Sequence, residues 1–282
     1  MSPRDGSFTF EGHSLAYSDW GEGDRVLVLV HGLLMNRRMF DRLAPEMASR
    51  GNRVVTLDLL GHGRSDRPED MRLYNMPDFG RQMAALCDHL ELDRPVVGGT
   101  SLGANATLEF AVAHPGRARA LLVEMPVLDN ALLGAALAFT PVLLGLRFGR
   151  PVLEGLSSAL QRVPRTNHLL DIGLDWLRQE PGPSAAVLEG ILFARSAPPH
   201  AERERINEPA LVIGHPSDPL HPFSDAGMLV EEMPNARLID ANSILEWRLN
   251  PTRLDDLLAD FLEEAYRKGA GQAVGGTAER VA

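Results

Sequence analysis

The chain has 282 residues, enough for one large α/β domain or two small ones, and 44% of them are hydrophobic, which allows a sizeable buried core. The formal net charge of -10 and the pI near 5.4 argue against nucleic acid or an anionic membrane surface as a partner. The single cysteine, Cys87, excludes an internal disulfide and is predicted to be a small core residue on a helix.

Apolar runs alternate with helical patterns along most of the chain, which predicts a doubly wound, mostly parallel sheet. The first two runs predict a hairpin, and the later ones suit strands that are buried on both faces. The predicted strands are residues 7–10, 13–20, 25–30, 53–59, 94–98, 118–125, 209–214 and 236–239. The predicted helices are residues 36–50, 78–92, 104–113, 224–233 and 251–268.

The alternation breaks between residues 128 and 204, where the chain is apolar and its pattern predicts helices. We therefore predict an α/β core in two parts, residues 7–127 and 205–268, with residues 128–204 inserted as a helical cap over the strand ends. Residues 269–282 are rich in glycine and alanine and are predicted to be disordered. The prolines that we expect to break the cap helices are Pro141, Pro151, Pro164, Pro181 and Pro183.

Neither a signal peptide nor a membrane span is predicted. The first residues lack an apolar core, and the longest uncharged run, residues 131–146, is too short to span a bilayer comfortably. We therefore expect a cytoplasmic protein without stable membrane insertion.

One apolar run ends in Gly99-Thr100-Ser101-Leu102-Gly103, and a small-residue helical pattern follows it. G-x-S-x-G between a strand and a helix is the nucleophile-elbow pattern. The sharp turn lifts the serine hydroxyl out of the sheet, and the glycines let neighbouring backbone approach without a Cβ clash. The first turn of the helix supplies unpaired N–H groups where an oxyanion would form. The pattern therefore predicts a nucleophilic serine at Ser101.

Three other motifs accompany the elbow in a fixed order along the chain. His31-Gly32 follows one strand, Asp58-Leu59-Leu60-Gly61-His62-Gly63-Arg64-Ser65 follows the next, and Asp218-Pro219 lies beyond the strand that ends at Gly214. Together with the elbow, this order resembles the α/β-hydrolase superfamily, specifically its capped esterase and lipase-like branch. The resemblance covers about residues 7–267.

The resemblance implies a fold, a chemistry and a set of site residues. The family's chemistry is acyl transfer through a covalent acyl-enzyme. Ser101 would be the nucleophile, Asp218 the acid, and the backbone N–H groups of Leu33 and Leu102 the oxyanion hole. A serine at the elbow argues against a haloalkane dehalogenase or an epoxide hydrolase, whose relatives carry aspartate there.

The histidine that the triad requires is absent from its usual place. In the superfamily it lies on the loop after the last strand, but residues 240–251 contain none, and Ser243-Ile244 stands where Gly-His would be. His221 alone preserves the family's chain order after Asp218, so we predict it as the base, although its loop must lean inward across two strands, about 10 Å. The alternatives are His215, His168 and Glu246 for the base and Glu124 for the acid.

We expect a serine hydrolase that cleaves a carboxylic ester or a related acyl compound. The apolar stretch 132–146, placed over the strand ends, would favour a small apolar substrate, although helix packing within the cap explains it equally well. A non-catalytic ligand-binding protein of this fold, or a carbon–carbon bond hydrolase or lyase with a non-standard base, remains an alternative. The sequence contains no zinc, phosphate-loop or dinucleotide motif, so we expect neither a metal nor an organic cofactor; it leaves the oligomeric state open.

Overall fold

The computed structural model describes residues 2–164 and 168–268. Within them, the strands are β1 (Arg4–Phe10), β2 (His13–Trp20), β3 (Val26–Val30), β4 (Arg53–Leu57), β5 (Val96–Thr100), β6 (Ala120–Glu124), β7 (Ala210–Gly214) and β8 (Ala236–Asp240). These eight strands form one sheet in the order β1-β2-β4-β3-β5-β6-β7-β8. β2 pairs antiparallel with β1 and β4, and every other neighbouring pair is parallel, which confirms the predicted α/β fold.

The helices fall into those that cover the sheet and those in the predicted cap. The helices outside the cap segment are α1 (Leu43–Ser49), α2 (Met76–His89), α3 (Leu102–Ala113), α9 (Phe223–Glu232), α10 (Glu246–Leu249) and α11 (Thr252–Lys268). Those within residues 128–204 are α4 (Leu132–Phe148), α5 (Arg150–Gln161), α6 (His168–Leu177), α7 (Pro181–Phe193) and α8 (His200–Arg203). The predicted tail, residues 269–282, lies outside the described residues.

The sheet is covered on both faces. Alternate residues of β3 belong to two different apolar layers, Val28 to one and Leu29 to the other, because successive side chains of a strand point to opposite faces. α2, α3 and α9 contribute to the first layer, and α1 and α11 contribute to the second. Every residue of β3, β5, β6 and β7 is buried as a result, which explains the continuous apolar runs in the sequence.

Residues 36–50 do not form the single helix that we predicted. A 3-10 turn, Arg37–Phe40, comes first and α1 follows it. Pro45 supplies the reason, because it has no N–H to bond the carbonyl of Asp41 and its ring would clash with that carbonyl. An α-helix that contains Pro45 must therefore start close to it. The ends of the other predicted core strands and helices differ from the observed ones by three residues or fewer.

The prediction that Pro141 breaks a helix is wrong. Pro141 lies inside α4, which continues for two turns beyond it. Apolar side chains on both sides of the proline pack against the core, and this packing holds one helix across the missing hydrogen bond; they are Phe139, Val142, Leu143 and Leu146. Pro151 and Pro181 lie in the first turns of α5 and α7, where a proline costs no helical hydrogen bond.

Candidate active site

The serine of the elbow occupies the turn between β5 and α3. Ser101 has φ +56° and ψ -113°, a backbone conformation that side-chain-bearing residues seldom adopt. A Cβ added at Gly99 would lie 2.5 Å from the carbonyl oxygen of Val30, and one added at Gly103 would lie 2.1 Å from it. Both glycines of the motif are therefore required, because the end of β3 passes directly beside the elbow.

Three of the predicted site residues form one chain of hydrogen bonds. His221 Nε2 lies 2.9 Å from Ser101 Oγ, and His221 Nδ1 lies 2.9 Å from Asp218 Oδ2. With its proton on Nδ1, the imidazole donates to the carboxylate and leaves Nε2 free to accept the serine hydroxyl proton. Burial raises the pKa of Asp218, but its bonds to His221 and to the N–H group of Leu220 outweigh this and lower the pKa overall.

The loop after β7 supplies both Asp218 and His221. β6 separates β7 from β5 in the sheet, so the loop must lean inward to reach Ser101. Ser217 has φ +60°, and Asp218 Oδ1 accepts the N–H groups of Leu220 (2.8 Å) and His221 (3.1 Å). These bonds close a tight turn that directs the His221 imidazole across the strand end of β6 to the serine.

A second histidine–carboxylate pair is buried beside the elbow. His215 Nε2 lies 3.2 Å from Glu124 Oε1, Arg248 Nη2 lies 3.0 Å from Glu124 Oε2, and the side chains of His215 and Glu124 are each 1% exposed. His215 Nδ1 is 3.0 Å from the carbonyl oxygen of Ser243. We call Glu124, His215 and Arg248 the Glu124 cluster.

The charges of the Glu124 cluster are coupled. Burial raises the pKa of Glu124, but Arg248 and His215 outweigh it and hold this pKa at about 2. Burial lowers the pKa of His215, but the hydrogen bond and charge of Glu124 outweigh it and raise this pKa above 6.5. Because both ring nitrogens of His215 have partners, and the Glu124 carboxylate faces His215 and Arg248, neither residue is placed as the base or the acid for Ser101.

The Glu124 cluster joins the ends of four strands. The carbonyl oxygen of Glu124 accepts the N–H of Ser101 at 2.9 Å, and His215 directly follows β7 at the start of the loop that carries His221. Ser243 and Arg248 both follow β8. The segment that carries the histidine in the superfamily thus contributes Arg248, which binds Glu124, and the Ser243 carbonyl group, which faces His215.

Glu246, another candidate base, is bonded to other residues. The Glu246 carboxylate accepts hydrogen bonds from Arg253 and Asn242, and Arg253 above all lowers its pKa to about 2. The side chain of His168 lies outside the described residues. His31 is a buried structural residue: Nδ1 faces the Gly32 carbonyl oxygen at 2.8 Å, Nε2 accepts the Leu59 N–H at 3.1 Å, and burial lowers its pKa.

The two predicted oxyanion-hole residues belong to two segments that meet at Ser101. Leu102 opens α3, so its N–H has no acceptor one turn back in the helix. Leu33 follows Gly32, and a Cβ added at Gly32 would lie 3.9 Å from Ser101 Cβ.

Gln179, which the sequence did not indicate, holds the loop that carries Leu33. The buried side chain of Gln179 donates from Nε2 to the carbonyl oxygen of Leu34 at 2.8 Å, and Leu34 has φ +54°. Gln179 lies between α6 and α7, 145 residues further along the chain, and no local pattern connects the two positions. The predicted cap segment is therefore bonded directly to the loop that carries Leu33.

Among the described residues, no group of three or more His, Cys, Asp or Glu side chains is arranged to hold a metal ion.

The sheet order and the strand–turn–helix elbow are those of the α/β-hydrolase fold. The family model for the alpha/beta hydrolase fold matches residues 25–156, a little under half of the chain, and supports the α/β-hydrolase superfamily. It is 27% identical over 287 residues to the "Putative non-heme haloperoxidase" of Mycobacterium phage D29, with 93% of this chain and 97% of that protein covered. It is also 27% identical over 268 residues to a 2-hydroxy-6-oxononadienedioate/2-hydroxy-6-oxononatrienedioate hydrolase of Pseudomonas putida, with 88% and 91% covered.

Solved structures show the same fold. The enol-lactonase from Burkholderia xenovorans LB400 superposes with a TM-score of 0.74 at 21% identity, covering 92% of this chain and all of that one. Several other curated relatives are matched over only about two fifths of their own length. The relatives support an enzyme of the hydrolase family, and because their names describe different reactions they fix no substrate.

Proposed function

We propose that the chain is a serine hydrolase that cleaves a carboxylic ester or a related acyl compound. The observation that carries this proposal is the hydrogen-bonded chain from Ser101 Oγ through His221 to Asp218. A hydroxyl, an imidazole within hydrogen-bond reach and a carboxylate that orients the imidazole are the parts needed to activate a serine. The alternative of a non-catalytic binding protein rested on the missing base, and His221 supplies a candidate.

In the proposed reaction, His221 Nε2 takes the hydroxyl proton as Ser101 Oγ attacks the carbonyl carbon of the ester. The negative charge that develops on the carbonyl oxygen is stabilised by the N–H groups of Leu33 and Leu102. The intermediate collapses, the ester C–O bond breaks, and His221 returns its proton to the leaving alcohol. Water then attacks the acyl-enzyme with the same base, which releases the acid and restores Ser101. Asp218 keeps the imidazole oriented and stabilises its charged form.

A small substrate with an apolar acyl or alcohol part fits the surroundings of the site. α4 is apolar around its whole circumference apart from Thr140 and Arg147, and its first turns approach the loop that carries Asp218 and His221. A Cβ added at Gly134 would lie 3.7 Å from the carbonyl oxygen of Pro219. No charged side chain of α4 lies in those first turns, which favours an uncharged ligand over a charged one.

Labelling with a fluorophosphonate probe, with the adduct mapped by mass spectrometry, tests the proposal without a guess at the substrate. Wild type should label at Ser101, and Ser101→Ala should not label. His221→Ala should label at least about 10³-fold more slowly than wild type. His200→Gln is the matched control, since His200 is an exposed histidine bonded to Glu232. Folded wild type that does not label contradicts the proposal, and a His221→Ala variant that labels normally contradicts the assigned base.

A second candidate is a carbon–carbon bond hydrolase, which the similarity to the Pseudomonas putida hydrolase favours. Product analysis separates the two reactions. An ester substrate yields an acid and an alcohol, whereas cleavage of a ketone substrate yields an acid and a new carbon–hydrogen bond. Activity on ketones alone, with esters untouched, would favour the second candidate.

A further inference from the structure

Asn105 lies in the first turn of α3, the helix that starts directly after the proposed nucleophile. Its backbone N–H donates to the carbonyl oxygen of Ser101 at 3.0 Å, and the residue is 1% exposed. Asparagine is mostly a surface residue, and burying its amide costs free energy unless the amide is hydrogen-bonded. The partners of this side chain therefore show what its burial achieves.

The Asn105 amide binds both segments that join α4–α7 to the rest of the chain. We call residues 125–131, between β6 and α4, the entry segment, and residues 194–199, between α7 and α8, the exit segment. Oδ1 accepts the N–H of Val127 at 3.1 Å, and Nδ2 donates to the carbonyl oxygens of Val127 at 2.8 Å and Ser196 at 2.6 Å. One side chain thus links the two ends of this group of helices to the helix of the nucleophile.

Two further buried side chains hold the same segments. Asp225 on α9 is 0% exposed and accepts three backbone N–H groups of the entry segment at 2.7–3.2 Å. These groups belong to Leu128, Asn130 and Ala131. Arg203 donates to the carbonyl oxygen of Pro198 at 2.9 Å and to Asp129 Oδ2 at 3.1 Å, which joins the exit segment to the entry segment. The two segments are therefore fixed to each other as well as to α3 and α9.

α4 is an apolar helix whose position on the core has to be fixed. Among the described residues, no single helix is both long and apolar enough to span a membrane. One side of α4 packs against the core through Phe139, Val142, Leu143 and Leu146. Apolar packing is non-directional, so it holds the helix on the core without fixing where along the surface the helix lies. The directional hydrogen bonds of the entry segment supply that restriction.

The helices that these segments carry reach the proposed site at two places. A Cβ added at Gly134, in the first turn of α4, would lie 3.7 Å from the carbonyl oxygen of Pro219, in the loop that carries the proposed base. Gln179, just before α7, donates to the carbonyl oxygen of Leu34 at 2.8 Å. The position of α4–α7 relative to α3 therefore affects the space that a substrate would fill beside Ser101.

We propose that Asn105 is a positioning residue that links the entry and exit segments to the first turn of α3 and so holds α4–α7 in place over Ser101. A substrate whose acyl chain reaches α4 depends on this placement, because apparent affinity falls with the fraction of molecules in the binding-competent arrangement. Attack on a short ester does not depend on it, since the hydrogen-bonded chain of the proposed triad contains neither segment. This kinetic consequence rests on the proposed serine chemistry, whereas the link itself does not.

Kinetics of Asn105→Ala on p-nitrophenyl acetate and p-nitrophenyl octanoate test the kinetic consequence. If the competent arrangement falls to about one tenth of the population, KM for the octanoate should rise about tenfold, while kcat/KM for the acetate stays within about twofold of wild type. Asn52→Ala is the matched control. Asn52 is 3% exposed, its Nδ2 donates to the carbonyl oxygen of Met47 at 2.9 Å, and it precedes β4, at the end of the sheet opposite to Ser101. It should lose stability without changing the ratio of the two KM values.

Hydrogen exchange of the full chain tests the link without any substrate. The Val127 N–H loses its acceptor in Asn105→Ala, so peptides that cover the entry segment should exchange at least about tenfold faster than in wild type. Asp225→Asn is a second variant in case the alanine variant does not fold. It keeps one acceptor oxygen and weakens the entry segment from α9, so exchange and the octanoate KM should change in the same direction by less.

Unchanged exchange of the entry segment in folded Asn105→Ala would overturn the proposal. An equal rise of KM for both esters, or a rise for the octanoate that Asn52→Ala reproduces, would overturn it as well, because either result describes a general loss of structure. Wild type that hydrolyses neither ester would contradict the proposed function instead. Exchange would then decide alone whether Asn105 holds the two segments.

Discussion

The Asp218 carboxylate and the His221 imidazole, three residues apart, meet across a single turn with 2.9 Å between Oδ2 and Nδ1. In the superfamily the acid and the base come from two loops, after the seventh and the eighth strand. Here one loop carries both, and Asp218 also binds the backbone N–H groups of Leu220 and His221. The conformation of this one loop therefore sets the positions of the proposed acid and the proposed base.

Replacing Asp218 by Asn should reduce kcat on a soluble chromogenic ester by about 10⁴-fold, as loss of the orienting carboxylate does in serine proteases. The Asn side chain keeps an acceptor for the two backbone N–H groups, so the loop should remain closed. It can instead donate to His221 Nδ1, which favours the tautomer whose Nε2 carries the proton and cannot accept one. Steady-state kinetics of the purified variant measure the effect.

Asp218 and His221 should act as a unit. The double variant Asp218→Asn/His221→Ala should be no slower than His221→Ala alone, since Asp218 acts only through the imidazole. Additive losses in the double variant would show that Asp218 has a separate role, and an Asp218→Asn variant with wild-type kcat would remove it from the site.

Glu124→Gln should destabilise the fold and slow the enzyme together. It removes the anion that faces His215, whose side chain is buried, and Arg248, whose side chain is 23% exposed. Breaking a fully buried ion pair costs about 3–5 kcal/mol, and the cost here should be smaller because Arg248 reaches solvent and His215 can lose its proton. The loop that begins at His215 should loosen, and kcat should fall because His221 is less well positioned. Urea unfolding and ester kinetics provide the two measurements.

A compensating change distinguishes this network from simple packing. Glu124→Gln/Arg248→Met removes the anion and one of its two cations, so it should recover part of the stability that Glu124→Gln loses. If Glu124→Gln and Arg248→Met are each as stable and as active as wild type, the Glu124 cluster does not position the loop that carries His221.

The sequence was sufficient for the fold and for the elbow that carries Ser101, because both depend on local patterns. The runs that end at Val30 and Thr100 are buried on both faces, and Gly99 and Gly103 are the only residue type that fits against the Val30 carbonyl. The position of His221 could be proposed from chain order alone. Its distance to Ser101 could not, because it depends on how the loop after β7 folds across β6.

Contacts between distant segments gave no sequence signal at all. Gln179 reaches the Leu34 carbonyl and Arg248 reaches Glu124, at sequence separations of 145 and 124 residues. Gln179 and Arg248 are single polar residues, and neither belongs to a recognisable sequence motif. The interruption of residues 36–50 was a local failure, since the effect of Pro45 on the carbonyl four residues earlier could have been read from the sequence.

Gln179→Leu should lower kcat while it leaves KM nearly unchanged. The Gln179 amide holds the Leu34 carbonyl, and through it the backbone next to Leu33, whose N–H is a proposed oxyanion donor. Loss of this one hydrogen bond should cost only about 0.5–1.5 kcal/mol of stability, whereas a displaced donor should reduce kcat about tenfold or more. Steady-state kinetics and thermal unfolding measure the two effects.

Gln179→Glu offers a stricter test of the same contact. Its carboxylate would face the Leu34 carbonyl as a second acceptor, so kcat should fall further than in the leucine variant. Equal kcat values for wild type and both variants would show that the oxyanion loop keeps its position without Gln179.

His215 should make the stability of the fold depend on pH above 6.5. Its pKa in the folded protein is raised above 6.5, chiefly because Glu124 opposes the effect of burial, so between the two pKa values the folded state holds a proton that the unfolded state has lost. The stabilisation from the charged pair is therefore fully present below pH 6.5 and is lost as pH rises through the folded-state pKa. Urea unfolding across this range should show a decline in the free energy of unfolding of wild type and a flatter profile in His215→Gln.

His200 is the matched control, because it is the other described histidine whose pKa is raised, here by Glu232 and Glu204, and it is fully solvated. His200→Gln should keep most of the decline, and a decline that persists unchanged in His215→Gln would contradict the assignment.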